Sequence, residues 1–126
     1  MLTKIVLVED DTFLSSMYAT KLGLEGFHVL QAYDGEKGLR LIAKERPQLI
    51  MLDLIMPVMD GYAVLKELKK DPTLNKIPVI VLSNLGEKTS VDQALALGAD
   101  DYLIKAHFLP SEVISKVKKV MAGAAT

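Results

Sequence analysis

Five short apolar runs rich in valine, isoleucine and leucine punctuate the chain: Ile5–Val8, His28–Ala32, Leu49–Leu52, Val79–Leu82 and Tyr102–Ile104. All have strand length, and their near-continuous apolar character predicts strands buried on both faces. Between them lie segments with helical spacing and recognisable ends. Phe13, Leu14, Met17, Tyr18 and Lys21-Leu22 follow a period near 3.6, with Gly23 and Gly26 at the stop. Asp34 is placed to cap a helix carrying Leu39, Leu41, Ile42 and Ala43, which Pro47 closes. Tyr62–Lys70 carries Val64, Leu65 and Leu68 before Asp71-Pro72 breaks it. Val91–Leu97 with Gly98 predicts a shorter helix with a glycine stop, and Pro110 opens a last helix through Met121.

Strands alternating with helices imply right-handed crossovers and a parallel sheet covered on both faces. Five of each in this length predict one small doubly wound α/β domain. The expected strand order is the flavodoxin-like 2-1-3-4-5. At 126 residues the chain suits a single domain, expected over residues 1–122, with 123–126 as a short tail or the start of a linker.

Composition narrows the chemistry. Fifteen basic residues against sixteen acidic ones give no global pull toward nucleic acid or anionic membrane. The absence of cysteine excludes disulfides, thiolate catalysis and cysteine-ligated zinc. The opening MLTKIVLVEDD has too short an apolar run for a signal peptide, and no segment is long enough to span a bilayer, so a cytoplasmic location is expected.

The residues just past each strand carry the functional signal. Strand one ends in Glu9-Asp10-Asp11, strand three in Asp53, strand four in Ser83 and strand five in Lys105. A parallel sheet gathers its strand C-termini on one edge, and order 2-1-3-4-5 would put strands one and three beside the switch point. Carboxylates converging there repel one another unless a divalent cation intervenes, and Mg²⁺ suits hard oxygen ligands best. Ser83 and Lys105 offer donors for phosphoryl oxygens. Asp53, at the mouth of a buried strand, is a carboxylate able to attack phosphorus and form an aspartyl-phosphate.

The series VLVEDD, MLDLIMPVMDG, VIVLSN and GADDYLIK resembles the receiver domain of bacterial two-component response regulators, from Lys4 to about Met121. The resemblance implies that Asp53 accepts a phosphoryl group from a phosphohistidine on a sensor histidine kinase or phosphotransfer protein. It implies Mg²⁺ held by Asp10, Asp53 and the backbone carbonyl of Ile55, with Glu9 acting largely through water. Lys105 would pair with the phosphoryl group. Ser83 would be the switch hydroxyl and Tyr102 the aromatic that changes rotamer with it. Together they would bias a surface of helix four, strand five and helix five toward an output partner or a phosphorylation-linked homodimer.

Other residues receive plainer readings. Asp11 is assigned to capping the first helix and Asp60-Gly61 to a turn and helix start. His28 is structural, His107 a solvent-facing loop histidine, and the methionines core filling. Lys116, Lys118 and Lys119 form a solvated face of the last helix, with no DNA contact expected.

Three departures from the family pattern stand out. Ala106 replaces the usual proline after the lysine, so a trans path is expected, a cis bond before alanine costing roughly 3–4 kcal/mol. Asn84 is bulkier than the small residue often found after the switch hydroxyl. Ile55 and Leu85 are apolar where the family's hydrolytic water passes, which predicts slow self-dephosphorylation. The rival readings are an interaction module that is never phosphorylated and a small Mg²⁺-dependent phosphohydrolase. Against the second, the related enzymes carry an aspartate where this chain has Ile55. Nucleotide or flavin binding lacks a glycine-rich loop after strand one.

Overall fold

The computed structural model describes residues 3–124. Five strands form one parallel sheet: β1 (Lys4–Val8), β2 (His28–Ala32), β3 (Leu49–Leu52), β4 (Val79–Ser83) and β5 (Asp101–Ile104). Their order is β2-β1-β3-β4-β5, as expected for the doubly wound fold. The helices are α1 (Thr12–Leu24), α2 (Gly35–Glu45), α3 (Gly61–Lys70), α4 (Lys88–Ala96) and α5 (Pro110–Ala124). A 3₁₀ turn, Lys105–His107, joins β5 to α5.

Alternation along each strand feeds two cores. Val6, Val8, Ile50, Leu52, Val79 and Val81 face Ile42, Val64, Leu65, Leu68 and Ala94 of α2, α3 and α4. Ile5, Leu7, Leu49, Met51, Ile80 and Leu82 face Tyr18, Leu22, Val113 and Val117 of α1 and α5. Each strand residue thus meets a helix whichever way it points, which is why these strands show no polar alternation. The edge strand β2 is less covered, and its first residue, His28, is exposed.

Side-chain caps set the helix starts. Asp11 accepts from Leu14 N, Asp34 from Lys37 N and Asp60 from Ala63 N. Gly61 allows α3 to start tight against the site, since a Cβ there would lie 2.3 Å from the Asp53 carbonyl oxygen.

Four details correct the expectations. Phe13 is 77 % exposed, and Ser15 takes the inward place on α1, accepting a hydrogen bond from Gln31 of β2. Ala43 faces solvent on α2. Helix α4 starts at Lys88, three residues before the expected Val91, and its N-cap Glu87 makes no side-chain capping bond. Helix α5 continues past Met121 into the segment expected to be a tail, of which residues 125–126 lie outside the described residues.

Candidate functional site

The ends of β1, β3, β4 and β5 meet at one edge, as parallel pairing requires. Register places Val8 opposite both Ala32 and Leu52, and Ser83 opposite Ile104, so the residues after these strands converge. The backbone ties them further: Asp53 N donates to the Val8 carbonyl and Glu9 N to the Ala32 carbonyl, each at 3.0 Å.

Asp53 is 6 % exposed. One of its oxygens accepts the amide of Leu54 at 2.8 Å, and the other accepts the Lys105 ammonium at 3.3 Å. Lys105 also ion-pairs with Glu9, whose second oxygen accepts the Asp11 amide at 3.1 Å. Asp10 lies beside them, exposed, and carboxylate oxygens of Glu9, Asp10 and Asp53 fall within 4.8 Å of one another.

Charge balance at this edge is uneven: three carboxylates face one ammonium. Burial pushes Glu9 up to about 7, and the Asp53 charge adds to this against the opposing pull of Lys105. Burial alone would lower the Lys105 pKa, but the Glu9 and Asp53 carboxylates outweigh it and hold the ammonium above its ordinary value. Near neutral pH Glu9 therefore stands between its protonated and ionised forms. A divalent cation fits this donor set: the ligands are all hard oxygens, closely grouped and short of positive charge.

Ser83 is buried, and its hydroxyl accepts the Leu85 amide at 3.2 Å. The Tyr102 hydroxyl donates to the Leu85 carbonyl, so the start of the β4–α4 connection is held from both sides. Burial raises the Tyr102 pKa, and the neighbouring Ser83 hydroxyl works against that rise.

The structure thus brings Glu9, Asp10, Asp53, Lys105, Ser83 and Tyr102 to one sheet edge. Lys105 opens the 3₁₀ turn, reaching both carboxylates with no cis peptide bond among the described residues. His107 is exposed, and the Ile55 side chain, 60 % exposed, stands at the rim. Two residues escaped the sequence reading. Burial raises the pKa of Tyr18 on α1, with the Lys105 charge lowering it and the Glu9 charge raising it. Tyr62 of α3 donates to the Ser90 carbonyl of α4 at 3.2 Å. The available signal was a tyrosine on a helix near the site, because a buried phenol seeks a polar partner.

A family model described as the response regulator receiver domain matches residues 5–118. Among curated proteins, the chain is 39% identical to the probable transcriptional regulator ycf27 of Galdieria sulphuraria over 94% of its own length and 45% of that protein. It is 37% identical to the DNA-binding dual master transcriptional regulator RpaA of Synechocystis, over 94% of the chain and 48% of the relative. The chain therefore spans about half the length of the curated relatives it matches. Among solved structures, the receiver domain of the Francisella response regulator 1452 superposes with a TM-score of 0.87 at 32% identity, covering 95% of this chain and 97% of that one. The CheY-like response regulator receiver domain protein of Methanospirillum hungatei gives a TM-score of 0.92 at 26% identity, covering 99% and 98%.

Proposed function

Because the chain belongs to the response regulator receiver domain family, we propose that Asp53 is its phosphoryl acceptor and that the donor is a phosphohistidine on a sensor kinase or phosphotransfer protein. In this step an Asp53 oxygen attacks phosphorus and the P–N bond to the imidazole breaks, its electron pair leaving with the ring nitrogen. The observation that carries the reading is the Lys105 ammonium set between Glu9 and Asp53 at the sheet edge. There it neutralises charge on the acceptor and is in place for a phosphoryl oxygen.

Glu9, Asp10 and Asp53 would hold Mg²⁺, together with the Ile55 carbonyl, and the ion would supply charge neutralisation and a seat for a phosphoryl oxygen. Ser83 would meet the modified carboxylate, and Tyr102, held to Leu85, would carry that movement to the surface of α4, β5 and α5. The sensor kinase or phosphotransfer protein would be the donor partner, and an output partner or a second copy of the chain would read the switched surface.

Residues 1–122 act as the receiver unit in the cytoplasm, and no helix among the described residues is long and apolar enough to cross a membrane. The expectation of no nucleic-acid contact is confined to these 126 residues. In proteins of the relatives' length the output we propose is transcriptional control, as the names of the curated relatives suggest. Turnover of phosphoesters as an enzyme has little support, because Ile55 offers no acid–base group.

The test is the intact mass after incubation with acetyl phosphate, with and without Mg²⁺, and after incubation with a phosphorylated kinase or phosphotransfer protein. A single Mg²⁺-dependent phosphoryl adduct, absent from Asp53→Asn, is the expected outcome. Failure with both donors would move the reading to an unphosphorylated interaction module.

A further inference from the structure

Helix α4 is weakly secured for an element of a signalling surface. Ala94 is its single fully buried residue, Leu95 stands 43 % exposed, and Glu87 leaves its first turn without a side-chain cap. An uncapped, little-buried helix end opens easily, so the contacts that do hold it matter more than their number suggests. Two phenols are among them. Tyr102 donates to the Leu85 carbonyl ahead of the helix, and Tyr62 donates to the Ser90 carbonyl in its first turn.

Tyr62 comes directly from the phosphoacceptor loop. Asp53 accepts the Leu54 amide, the Leu54 carbonyl accepts the Gly61 amide at 2.9 Å, and Tyr62 is the next residue, at the start of α3. Asp60 caps that same turn, so the Tyr62 backbone has little freedom relative to Leu54. Its half-buried side chain packs on the α2–α3–α4 side of the sheet, which leaves the hydroxyl to reach across to α4.

We infer that Tyr62 is a positioning residue of the switch: through the Ser90 carbonyl it fixes the first turn of α4 to the loop that carries Asp53, a second route beside the one through Ser83 and Tyr102. The inference rests on the receiver reading of the site. A shift of the Leu54 backbone on modification of Asp53 is passed through Gly61 and Tyr62 to α4, while the Ser83 route acts three residues before the helix. The two phenols lie close enough for the Tyr62 oxygen to add to the rise in the Tyr102 pKa that burial produces. Two routes that converge on one short segment should act together, and non-additivity is the signature of that coupling.

Tyr62→Phe removes one hydroxyl and keeps the ring. Hydrogen exchange on the whole chain, without and with Mg²⁺ and acetyl phosphate, reads the result. In unmodified Tyr62→Phe, amides from Val91 to Ala94 should exchange roughly three- to tenfold faster, the equilibrium equivalent of one lost hydrogen bond. Amides of β1 and β3 should be unchanged. The exchange change caused by phosphorylation should be non-additive by at least about twofold across Tyr62→Phe, Tyr102→Phe and the double variant. Unchanged exchange at 91–94, a rise spread evenly over the fold, or simple additivity would overturn the inference while leaving the site intact. A wild type that takes up no phosphoryl group from acetyl phosphate or from a phosphorylated kinase would instead bring down the receiver reading, and the switch role of Tyr62 with it.

Discussion

The Lys105 ammonium stands 3.3 Å from an Asp53 carboxylate oxygen while also paired with Glu9, although alanine rather than proline comes after it. The 3₁₀ turn at Lys105–His107 delivers the side chain, which is only 11% exposed. Replacing it with methionine would strand two buried carboxylates. Breaking a buried pair in this way costs roughly 3 kcal/mol or more. Urea denaturation should show Lys105→Met destabilised by about that amount without Mg²⁺ and by distinctly less in saturating Mg²⁺, which restores positive charge. An equal loss in both conditions would show that the metal does not share the lysine's electrostatic role.

Glu9 gives the site a pH signature. Its folded pKa of about 7 lies above the ordinary value of 4.5, so the folded state holds the proton more tightly than the unfolded chain. Between those values the unfolded chain ionises first, and this group's contribution to stability falls as pH rises. The loss is on the order of 3 kcal/mol for a shift of this size. The metal-free wild type should therefore lose stability relative to Glu9→Gln between pH 4.5 and pH 7. Mg²⁺, which needs the ionised carboxylate, should stabilise the wild type more in mildly alkaline buffer than in mildly acidic buffer. Parallel pH profiles for the two proteins would refute the assignment.

Val58 adopts φ 69°, a left-handed conformation costly for a β-branched residue, and 74 % of it is exposed, so its side chain contributes little packing. Val58→Gly should stabilise the fold by about 1 kcal/mol after the entropy cost of glycine is subtracted. Thermal unfolding should rise by roughly 3–6 °C. A fall in Tm would mean that the Val58 side chain holds the β3–α3 loop in a way its exposure does not suggest.

These sites differ in how far the chain announces them. The strands were legible because a strand facing helices on both sides must be apolar along its buried length, as Ile5–Val8, Leu49–Leu52 and Val79–Leu82 are. Their order rested only on the common solution for a doubly wound sheet, which the structure adopts. The acids, Ser83 and Lys105 were legible because each comes at or just after a strand end and parallel pairing gathers those ends. Ser15 was not, since its burial depends on Gln31 from β2, a partner that helical periodicity cannot register. Phe13 misled for the converse reason: it keeps the helical period but falls on the side of α1 that nothing covers. The start of α4 was hidden because Lys88, Thr89 and Ser90 carry no apolar pattern and Glu87 no capping bond. Tyr62 gained its role only once tertiary packing set where its hydroxyl lands.

The rim of the site bears on how long a phosphoryl group would last. Ile55 stands at the mouth, and Leu85 is fixed by its amide on Ser83 and its carbonyl on Tyr102. Neither side chain carries a group that could orient a water for attack on phosphorus. A phosphorylated half-life of minutes or longer is expected, measured as decay of the phosphoryl adduct by intact mass. Ile55→Asn introduces a group able to hold a water, and one hydrogen bond formed in the transition state is worth roughly a tenfold rate change. The variant should therefore lose the phosphoryl group about ten times faster, while Leu85→Ile, which adds no hydrogen-bonding group, should leave the rate nearly unchanged. A wild-type half-life of seconds, or an Ile55→Asn rate equal to wild type, would show that hydrolysis is limited by something other than the apolar rim.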